Sequence, residues 1–259
     1  LGSGASKLPA PGVQQYAPLG SGASGAVYAA TDRNGSRTAV KVYNLGGKTS
    51  DGRPRDEMAA SVLASRTGCR SIVRTTARFV KKGSVEDSRV EDSRVEGLVM
   101  EYLDPGEWHS LGGPPSFDTV TRDVYPAGVS LDAAEVVAVA RGLASAGAAL
   151  HGAGAIHGDM YAHNVLFRSS KRGVPAAKLG DFGAAFFYPP GSEIGREFER
   201  TEARAWGIAA TEALELWDGT GDWGPLDALK RLALECVGER GKRPSFAEIV
   251  ARVGEPEGV

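Results

Sequence analysis

The pattern of apolar and polar residues changes midway along the chain, from short strand-like runs to longer helical ones. The two β-prone runs 26–31 and 37–43 flank an Asn34-Gly35 pair, which is the strongest short signal for a β-hairpin. Residues 55–64 have a helical composition. Further apolar runs predict strands at 72–73, 77–80 and 97–103. The first part is therefore predicted to be a small antiparallel sheet with one helix.

The second part of the chain is dominated by helical spacing. Ser130 is the predicted N-cap of a helix, with Asp132 and Glu135 in its first turn. Apolar residues then follow at helical intervals, at Val136, Val139, Leu143 and Leu150. The Asp-Pro-Gly break at 104–106 marks the predicted boundary between a first region, 16–103, and a second, 104–259.

Composition excludes several classes of function. The 259 residues carry 30 Lys and Arg against 32 Asp and Glu, so neither nucleic-acid binding nor a membrane-surface role is expected. Cys69 and Cys236 are too few for a disulfide framework, from which we expect a reducing, cytoplasmic location. No apolar run has the length of a membrane span, so membrane insertion is not expected.

Residues 1–15 are predicted to be a flexible lead-in, and the start at Leu1 leads us to expect a longer parent chain.

A glycine loop and a lysine indicate a phosphate site in the first part. The loop at 20–25 matches G-x-G-x-x-G, but its third glycine opens a strand rather than a helix, which argues against a dinucleotide-binding fold. Such a loop between two antiparallel strands can direct its backbone N–H groups at phosphates. Strand alternation places Ala39 and Lys41 on the face below it, where a buried ammonium needs an anion. Glu57 or Asp56 could reach Lys41 from the predicted helix.

Acidic residues on two loops of the second part indicate a metal–phosphate site. Asp159, Asn164 and Asp181 each lie beside apolar strand residues, and Mg²⁺ takes carboxylate and amide oxygens together with phosphate oxygens. In this arrangement Asp159 could accept a proton, while Asn164 and Asp181 could supply oxygens to the metal. Taken singly, each acid is more often a turn residue, so the prediction depends on the ordered set.

These motifs, in this order, make the chain similar to eukaryotic-type protein kinase domains from about Tyr16 to Val253. The resemblance rests on the glycine loop, Val40-Lys41, Glu57, Met100-Glu101-Tyr102-Leu103, His157-Gly158-Asp159, Asn164, Asp181-Phe182-Gly183, the segment around Trp206, and Lys242-Arg243-Pro244. It implies an α+β fold with two lobes. The N-lobe, 16–103, would be a small antiparallel sheet with one helix, and the C-lobe, 104–259, would be mainly helical.

The resemblance also implies roles for individual residues. Lys41, paired with Glu57, would hold the α- and β-phosphates of ATP, and Asn164 and Asp181 would hold Mg²⁺. Asp159 would orient or deprotonate the acceptor hydroxyl. Met100 would lie at the back of the adenine pocket, and the backbones of Glu101 and Leu103 would bind the edge of the adenine. The implied nucleotide-binding residues are Gly20, Ser21, Gly22, Gly25, Val27, Ala39, Lys41, Glu57, Met100, Glu101, Leu103 and Leu166.

Three departures from the family pattern bear on activity. Gly158 replaces an arginine that usually pairs with a phosphorylated activation segment, so such phosphorylation is not expected to be needed. Tyr161 stands where Ser/Thr kinases have a lysine, and His163 could supply part of the missing positive charge. The activation segment between Asp181 and Glu202 is short and lacks Ala-Pro-Glu, and Glu202 stands where the family has an aspartate at the start of a helix of the C-lobe.

The sequence therefore predicts an ATP- and Mg²⁺-dependent phosphotransferase, with a Ser or Thr hydroxyl of a protein as the expected acceptor. Two alternatives stay open. One is a pseudokinase that binds nucleotide and acts as a scaffold or regulator. The other is a kinase-like enzyme with a small-molecule acceptor, which the His157-Gly158-Asp159 sequence and the short segment favour. The glutamate partner that Arg243 usually has is missing with Ala-Pro-Glu, and Glu197 or Glu199 is the predicted substitute.

Overall fold

A five-stranded antiparallel sheet and one helix form the first part of the chain. The computed structural model describes residues 13–22, 24–43, 52–82, 94–115, 119 and 123–256. The elements of this part are β1 (Val13–Ser21), β2 (Gly25–Asp32), β3 (Arg37–Tyr43), α1 (Pro54–Arg66), β4 (Thr75–Lys82) and β5 (Arg94–Glu101). The strand order is β1-β2-β3-β5-β4. Strand β1 overlaps the predicted lead-in at 13–15, and residues 1–12 lie outside the described residues.

The predicted hairpin joins β2 to β3. Gly35 has a φ of 81° in the turn, a left-handed conformation that glycine adopts without steric strain. The Asp32 carboxylate accepts hydrogen bonds from the backbone N–H groups of Asn34 and Ser36. The resulting register places Val27 opposite Lys41. On the other side of β3, Ala39 lies opposite Met100 of β5. This register brings the predicted pocket residues of three strands onto one central patch of the sheet.

The second part is built around one long buried helix. Its elements are β6 (Trp108–Ser110), α2 (Ala133–Gly152), β7 (Ala155–Ile156), β8 (Val165–Arg168), β9 (Ala176–Leu179), β10 (Phe186–Phe187), α3 (Glu193–Glu215), α4 (Trp223–Val237) and α5 (Phe246–Val253). Helix α2 packs against α3, α4, α5 and β9. Trp206 of α3 is fully buried against it and donates its indole N–H to the Ala140 carbonyl at 3.0 Å. Two small sheets, β6-β8-β9 and β7-β10, carry the loops of the site.

Helix α2 begins two residues later than Ser130 would allow as its cap. Asp132 is the N-cap, and it forms a capping box with Glu135, because each side chain accepts a hydrogen bond from the backbone N–H of the other. Within the described part of the chain, α2 is long and apolar enough to cross a membrane, and 61% of its apolar window is buried inside the protein. Its apolar residues are those of the core.

Helix α3 begins much earlier than expected. Its N-cap is Ser192, so only residues 182–192 separate Asp181 from the helix. Glu202, expected near the start of a helix, lies in the middle of α3. The short connection is held by β10, in which Phe186 pairs with Ile156 of β7.

Candidate functional site

A cavity of about 510 Å³ lies between the central sheet and the second part of the chain. Most of the predicted nucleotide-binding residues line it: Gly20, Val27, Ala39, Lys41, Glu57, Met100, Glu101, Leu103 and Leu166, together with Asp181. Among the described residues, Ser21, Gly22 and Gly25 do not line it. Sequence reasoning missed several lining residues, among them Leu19, Val73 and Trp108. The cavity is within the size range of small-molecule sites.

The three glycines of the predicted loop have different surroundings. A Cβ atom at Gly20 or Gly22 would have no neighbour within 4 Å, so space alone does not require glycine there. A Cβ atom at Gly25 would lie 2.1 Å from the Val42 carbonyl oxygen, so the close approach of β2 to β3 requires glycine at this position. The loop is closed by a hydrogen bond from Gly22 N–H to the Gly25 carbonyl at 2.9 Å.

Lys41 forms a buried ion pair with Glu57 at the back of the cavity. Of the two acids proposed on α1, Glu57 makes the contact, since it is buried and Asp56 is exposed. Lys41 Nζ also lies 3.6 Å from Asp181 Oδ1. Tyr43 donates its hydroxyl to Glu57 Oε1 at 2.9 Å. Tyr43 was missed, although strand alternation places it on the same face as Lys41.

Burial raises the pKa values of two groups in this cluster, Glu57 and Tyr43. It raises the pKa of Glu57 above its ordinary value, and the neighbouring Lys41 ammonium only partly offsets the effect. Burial and the Glu57 carboxyl together also raise the pKa of Tyr43. The phenol therefore remains a hydrogen-bond donor and supports Glu57 in its contact with Lys41.

The segment that follows Met100 is attached to the second part of the chain through a side chain. The Glu101 carboxylate accepts a hydrogen bond from Lys178 Nζ at 3.0 Å and one from the Arg74 backbone N–H at 2.7 Å. Only a backbone contribution was predicted for Glu101. Lys178 is largely buried on β9 and was not singled out by the sequence. This ion pair fixes the edge of the cavity where Glu101 and Leu103 lie.

The loop that carries Asp159 is fixed by buried hydrogen bonds, one of which comes from α3. His157 is fully buried, and its Nε2 lies 2.9 Å from the Gly180 carbonyl oxygen. The backbone N–H of Gly158 donates to Glu202 Oε1 at 2.8 Å, and Glu202 Oε2 lies 2.8 Å from His151 Nε2. A buried carboxylate on the longest helix thus fixes the loop at the residue before Asp159.

Asp159 is surrounded by donors on one side. Its Oδ2 accepts a hydrogen bond from Asn164 Nδ2 at 2.8 Å and lies 3.2 Å from His163 Nε2. His163 Nδ1 in turn lies 2.7 Å from Asp123 Oδ1. Burial by itself would raise the pKa of Asp159, but the hydrogen bonds from His163 and Asn164 lower it. Hydrogen bonds to Asp123 and Asp159 raise the pKa of His163 to about 10.

The contacts of His163 alter the role expected for it. Both ring nitrogens face carboxylates, so its charge is compensated within the loop rather than directed at a phosphate. Asp123 was missed by sequence reasoning. No motif marks it, and it lies 40 residues before His163 in the chain.

Asn164 and Asp181 lie at the same end of the β8–β9 hairpin, just before β8 and just after β9. Gly180 N–H donates to the Asn164 carbonyl at 2.9 Å, so the loop with Asn164 and the loop with Asp181 are joined at the residue before Asp181. Asp181 has a φ of 50°, and its carboxylate is half exposed towards the cavity, close to Lys41. The Asn164 amide nitrogen is engaged with Asp159, which leaves its amide oxygen as a possible metal ligand. Among the described residues no cluster of three His, Cys, Asp or Glu side chains could hold a metal. One carboxylate and one amide oxygen fit Mg²⁺ bound together with phosphates.

The predicted partner of Arg243 is wrong. Arg243 donates to the backbone carbonyls of Arg200 and Gly238, at 3.2 and 3.1 Å. Glu197 is instead paired with Arg200 and with Arg240, while Glu199 accepts the Tyr188 hydroxyl. Because α3 starts so early, both glutamates are helical residues that face other partners.

The fold and the order of these site residues define a class of protein. The family model described as Protein kinase domain matches residues 13–206, and the chain belongs to this family. The expected α+β kinase fold, with an antiparallel sheet followed by a helical part, is confirmed.

A particular relative gives a narrower comparison. Over 167 residues the chain is 29% identical to a protein of Caenorhabditis elegans described as probable serine/threonine-protein kinase zyg-1. The match covers 64% of this chain but only 20% of that protein, so the chain spans about a fifth of this relative's length.

Proposed function

We propose that this domain transfers the γ-phosphoryl group of ATP to a Ser or Thr hydroxyl of a protein. The observation that carries the proposal is the buried Lys41–Glu57 ion pair, formed in the same structure in which Asp181 lies 3.6 Å from Lys41. Both contacts belong to the arrangement in which a kinase can bind and orient phosphates. The similarity to a probable Ser/Thr kinase supports the choice of acceptor.

Different residues of the chain would bind the nucleotide and accept the proton of the acceptor hydroxyl. The adenine ring would lie in the apolar part of the cavity, between Val27 and Leu166, with Met100 behind it. Lys41 would hold the α- and β-phosphates. Asp159 would accept a hydrogen bond from the acceptor hydroxyl and take its proton as the new O–P bond forms. The bond between the γ-phosphorus and the β,γ-bridging oxygen would break in the same step, and ADP would leave. Mg²⁺, held by Asn164 and Asp181, would neutralise the charge that develops on the phosphates.

A pseudokinase is the second candidate, and the residue at position 161 favours it. Tyr161 is exposed where Ser/Thr kinases have the lysine that steadies the transferring phosphate. The connection at 182–192 is also too short to offer the usual platform for a peptide. In this alternative the cavity binds nucleotide, but transfer is absent. A small-molecule acceptor remains compatible with the same short connection.

A single-turnover assay with γ-labelled ATP separates these functions. We expect the wild-type domain to transfer label to itself or to a generic protein acceptor. Asp159→Asn should abolish transfer, because the amide cannot accept the hydroxyl proton, while ATP binding by calorimetry should persist. Asp227→Asn is the matched control, since Asp227 is a partly exposed acid on α4 whose ion-pair partner among the described residues is Arg231.

Each outcome supports or overturns one of these assignments. ATP binding with no transfer by the wild type would support the pseudokinase and overturn the proposed activity. Transfer to a small alcohol or amino sugar, but not to protein, would support the small-molecule acceptor. Equal transfer by the wild type and Asp159→Asn would show that Asp159 does not have the proposed role.

A further inference from the structure

A chain of three side chains leads from a buried carboxylate to Asp159. Asp123 lies outside the loop that carries Asp159, and its side chain is 1% exposed. It accepts two hydrogen bonds from the same residue, from the His163 backbone N–H at 3.0 Å and from the ring at Nδ1 at 2.7 Å. The other ring nitrogen, Nε2, lies 3.2 Å from Asp159 Oδ2. The backbone and the ring of His163 are therefore both fixed by one anchor.

The chemistry of the three groups defines what the ring can do. Ionised carboxylates only accept hydrogen bonds, so a histidine placed between two of them donates from both nitrogens. Such an imidazolium has no donor left for a phosphate. The Tyr161 ring lies nearly parallel to the imidazole, at 12° and 6.0 Å between ring centres, and covers one of its faces. His163 is thus held on two edges and one face.

The same contacts determine which oxygen of Asp159 is free. Oδ2 is engaged by His163 Nε2 and by Asn164 Nδ2. Within the described residues Oδ1 accepts no hydrogen bond, and the Asp159 side chain is about one-third exposed. A carboxylate held in this way leaves a single oxygen, Oδ1, to accept a hydrogen bond from an incoming group.

We propose that His163, anchored by Asp123, is a positioning residue that orients Asp159 Oδ1 towards the acceptor hydroxyl. The inference rests on the proposed function, because orientation of the carboxylate matters only if a hydroxyl is phosphorylated. It assigns the residue at position 163 to the geometry of proton transfer rather than to phosphate binding. A misplacement of about 1 Å in such a group can cost about 100-fold in rate.

Two substitutions at position 163 separate the two ends of the contact. Asn places its amide near the position of Nδ1, so His163→Asn keeps a donor for Asp123 but does not reach Asp159. Gln places its amide near the position of Nε2, so His163→Gln can still donate to Asp159. We expect His163→Asn to lower kcat by about 10- to 100-fold with an unchanged KM for ATP, and His163→Gln to recover part of the loss.

The anchor is tested by a third substitution. Asp123→Asn should lower kcat in the same way, and it should add little to the loss in His163→Asn, because both changes release the same contact. Asp227→Asn controls for the loss of one acidic charge. A readout independent of transfer is the downfield proton resonance of a ring N–H held by a carboxylate, which should be present in the wild type and absent in both variants at position 163.

The outcomes distinguish this inference from the proposed function. An active wild type beside His163→Asn with a normal kcat would overturn the inference alone. A raised KM for ATP with a normal kcat would also overturn it, since it would assign His163 to nucleotide binding. No transfer by the wild type would overturn the proposed function and the inference with it.

Discussion

At the scale of single residues, Gly158 shows why a substitution in a motif has to be interpreted in three dimensions. The missing arginine suggested only that the domain does without a phosphorylated activation segment. In the structure, Gly158 has a φ of 80°, and a Cβ atom there would lie 2.5 Å from the Ala184 carbonyl oxygen. The backbone of this loop therefore requires glycine, and the usual arginine could not be restored without moving it.

Gly158→Ala is expected to lower the stability of the domain. The left-handed backbone alone costs roughly 1–2 kcal/mol for a residue with a Cβ atom, and the contact with Ala184 adds to this. Gly35→Ala is the matched control, because Gly35 has a φ of 81° with no neighbour within 4 Å of its Cβ position. Urea denaturation measures both variants. Equal losses would show that the Ala184 contact contributes nothing.

At the scale of elements, helix α3 connects the site to the core. Its Glu202 accepts the Gly158 N–H, and its Trp206 and Gly207 pack against α2 and α4. A Cβ atom at Gly207 would lie 2.7 Å from Cys236 Cβ and 2.9 Å from the Ala233 carbonyl oxygen. The absence of a side chain at Gly207 lets the two helices approach closely.

Gly207→Ala should therefore destabilise the domain although alanine favours a helix. Overpacking of a well-packed contact costs about 1–3 kcal/mol, which exceeds the gain of about 1 kcal/mol in helix propensity. Gly152→Ala, at the end of α2 with no neighbour within 4 Å, should be neutral or slightly stabilising. The midpoints of thermal unfolding measure the difference. A Gly207→Ala variant as stable as Gly152→Ala would contradict close packing of α3 on α4.

At the scale of the whole molecule, the cavity is shared between two structural units. Lys41 and Met100 come from the five-stranded sheet, whereas Leu166 and Asp181 come from the hairpin beside α2. The Glu101–Lys178 pair joins the two units at one edge. A ligand bound in the cavity contacts both units. Because such a site exists only in the folded chain, binding stabilises the folded chain by an amount that grows with the ratio of ligand concentration to Kd.

ATP with Mg²⁺ should consequently raise the midpoint of thermal unfolding. At a free concentration 100 times Kd the expected stabilisation is about 2.7 kcal/mol. Lys41→Met should remove most of this increment, while Lys230→Met, at an exposed position on α4, should keep it. The increment on adding ligand is compared, since Lys41→Met also leaves Glu57 buried without its cation. The absence of any increment in the wild type would contradict both the kinase and the nucleotide-binding pseudokinase.

Much of the fold followed from local patterns in the sequence. The hairpin at Asn34-Gly35, the helix with Glu57 and the buried helix around Val136 were predicted correctly, because turn chemistry and apolar periodicity act over a few residues. The order of Lys41, Asp159 and Asp181 was equally visible. The start of α3 at Glu193 was not predicted, because it depends on the pairing of β10 with β7, which lies within the short connection before the helix.

The sequence by itself determined the class of fold and the residue types around the cavity, because strand alternation, helical spacing and glycine turns are local properties. Only the tertiary structure decided which side chains pair over long distances in the chain. Asp123 reaches His163 across 40 residues, Glu202 reaches Gly158 across 44, and Arg243 binds carbonyls instead of a glutamate. Each of these contacts has at least one partner in a loop, whose path depends on tertiary packing, and no periodicity in the sequence reports on it.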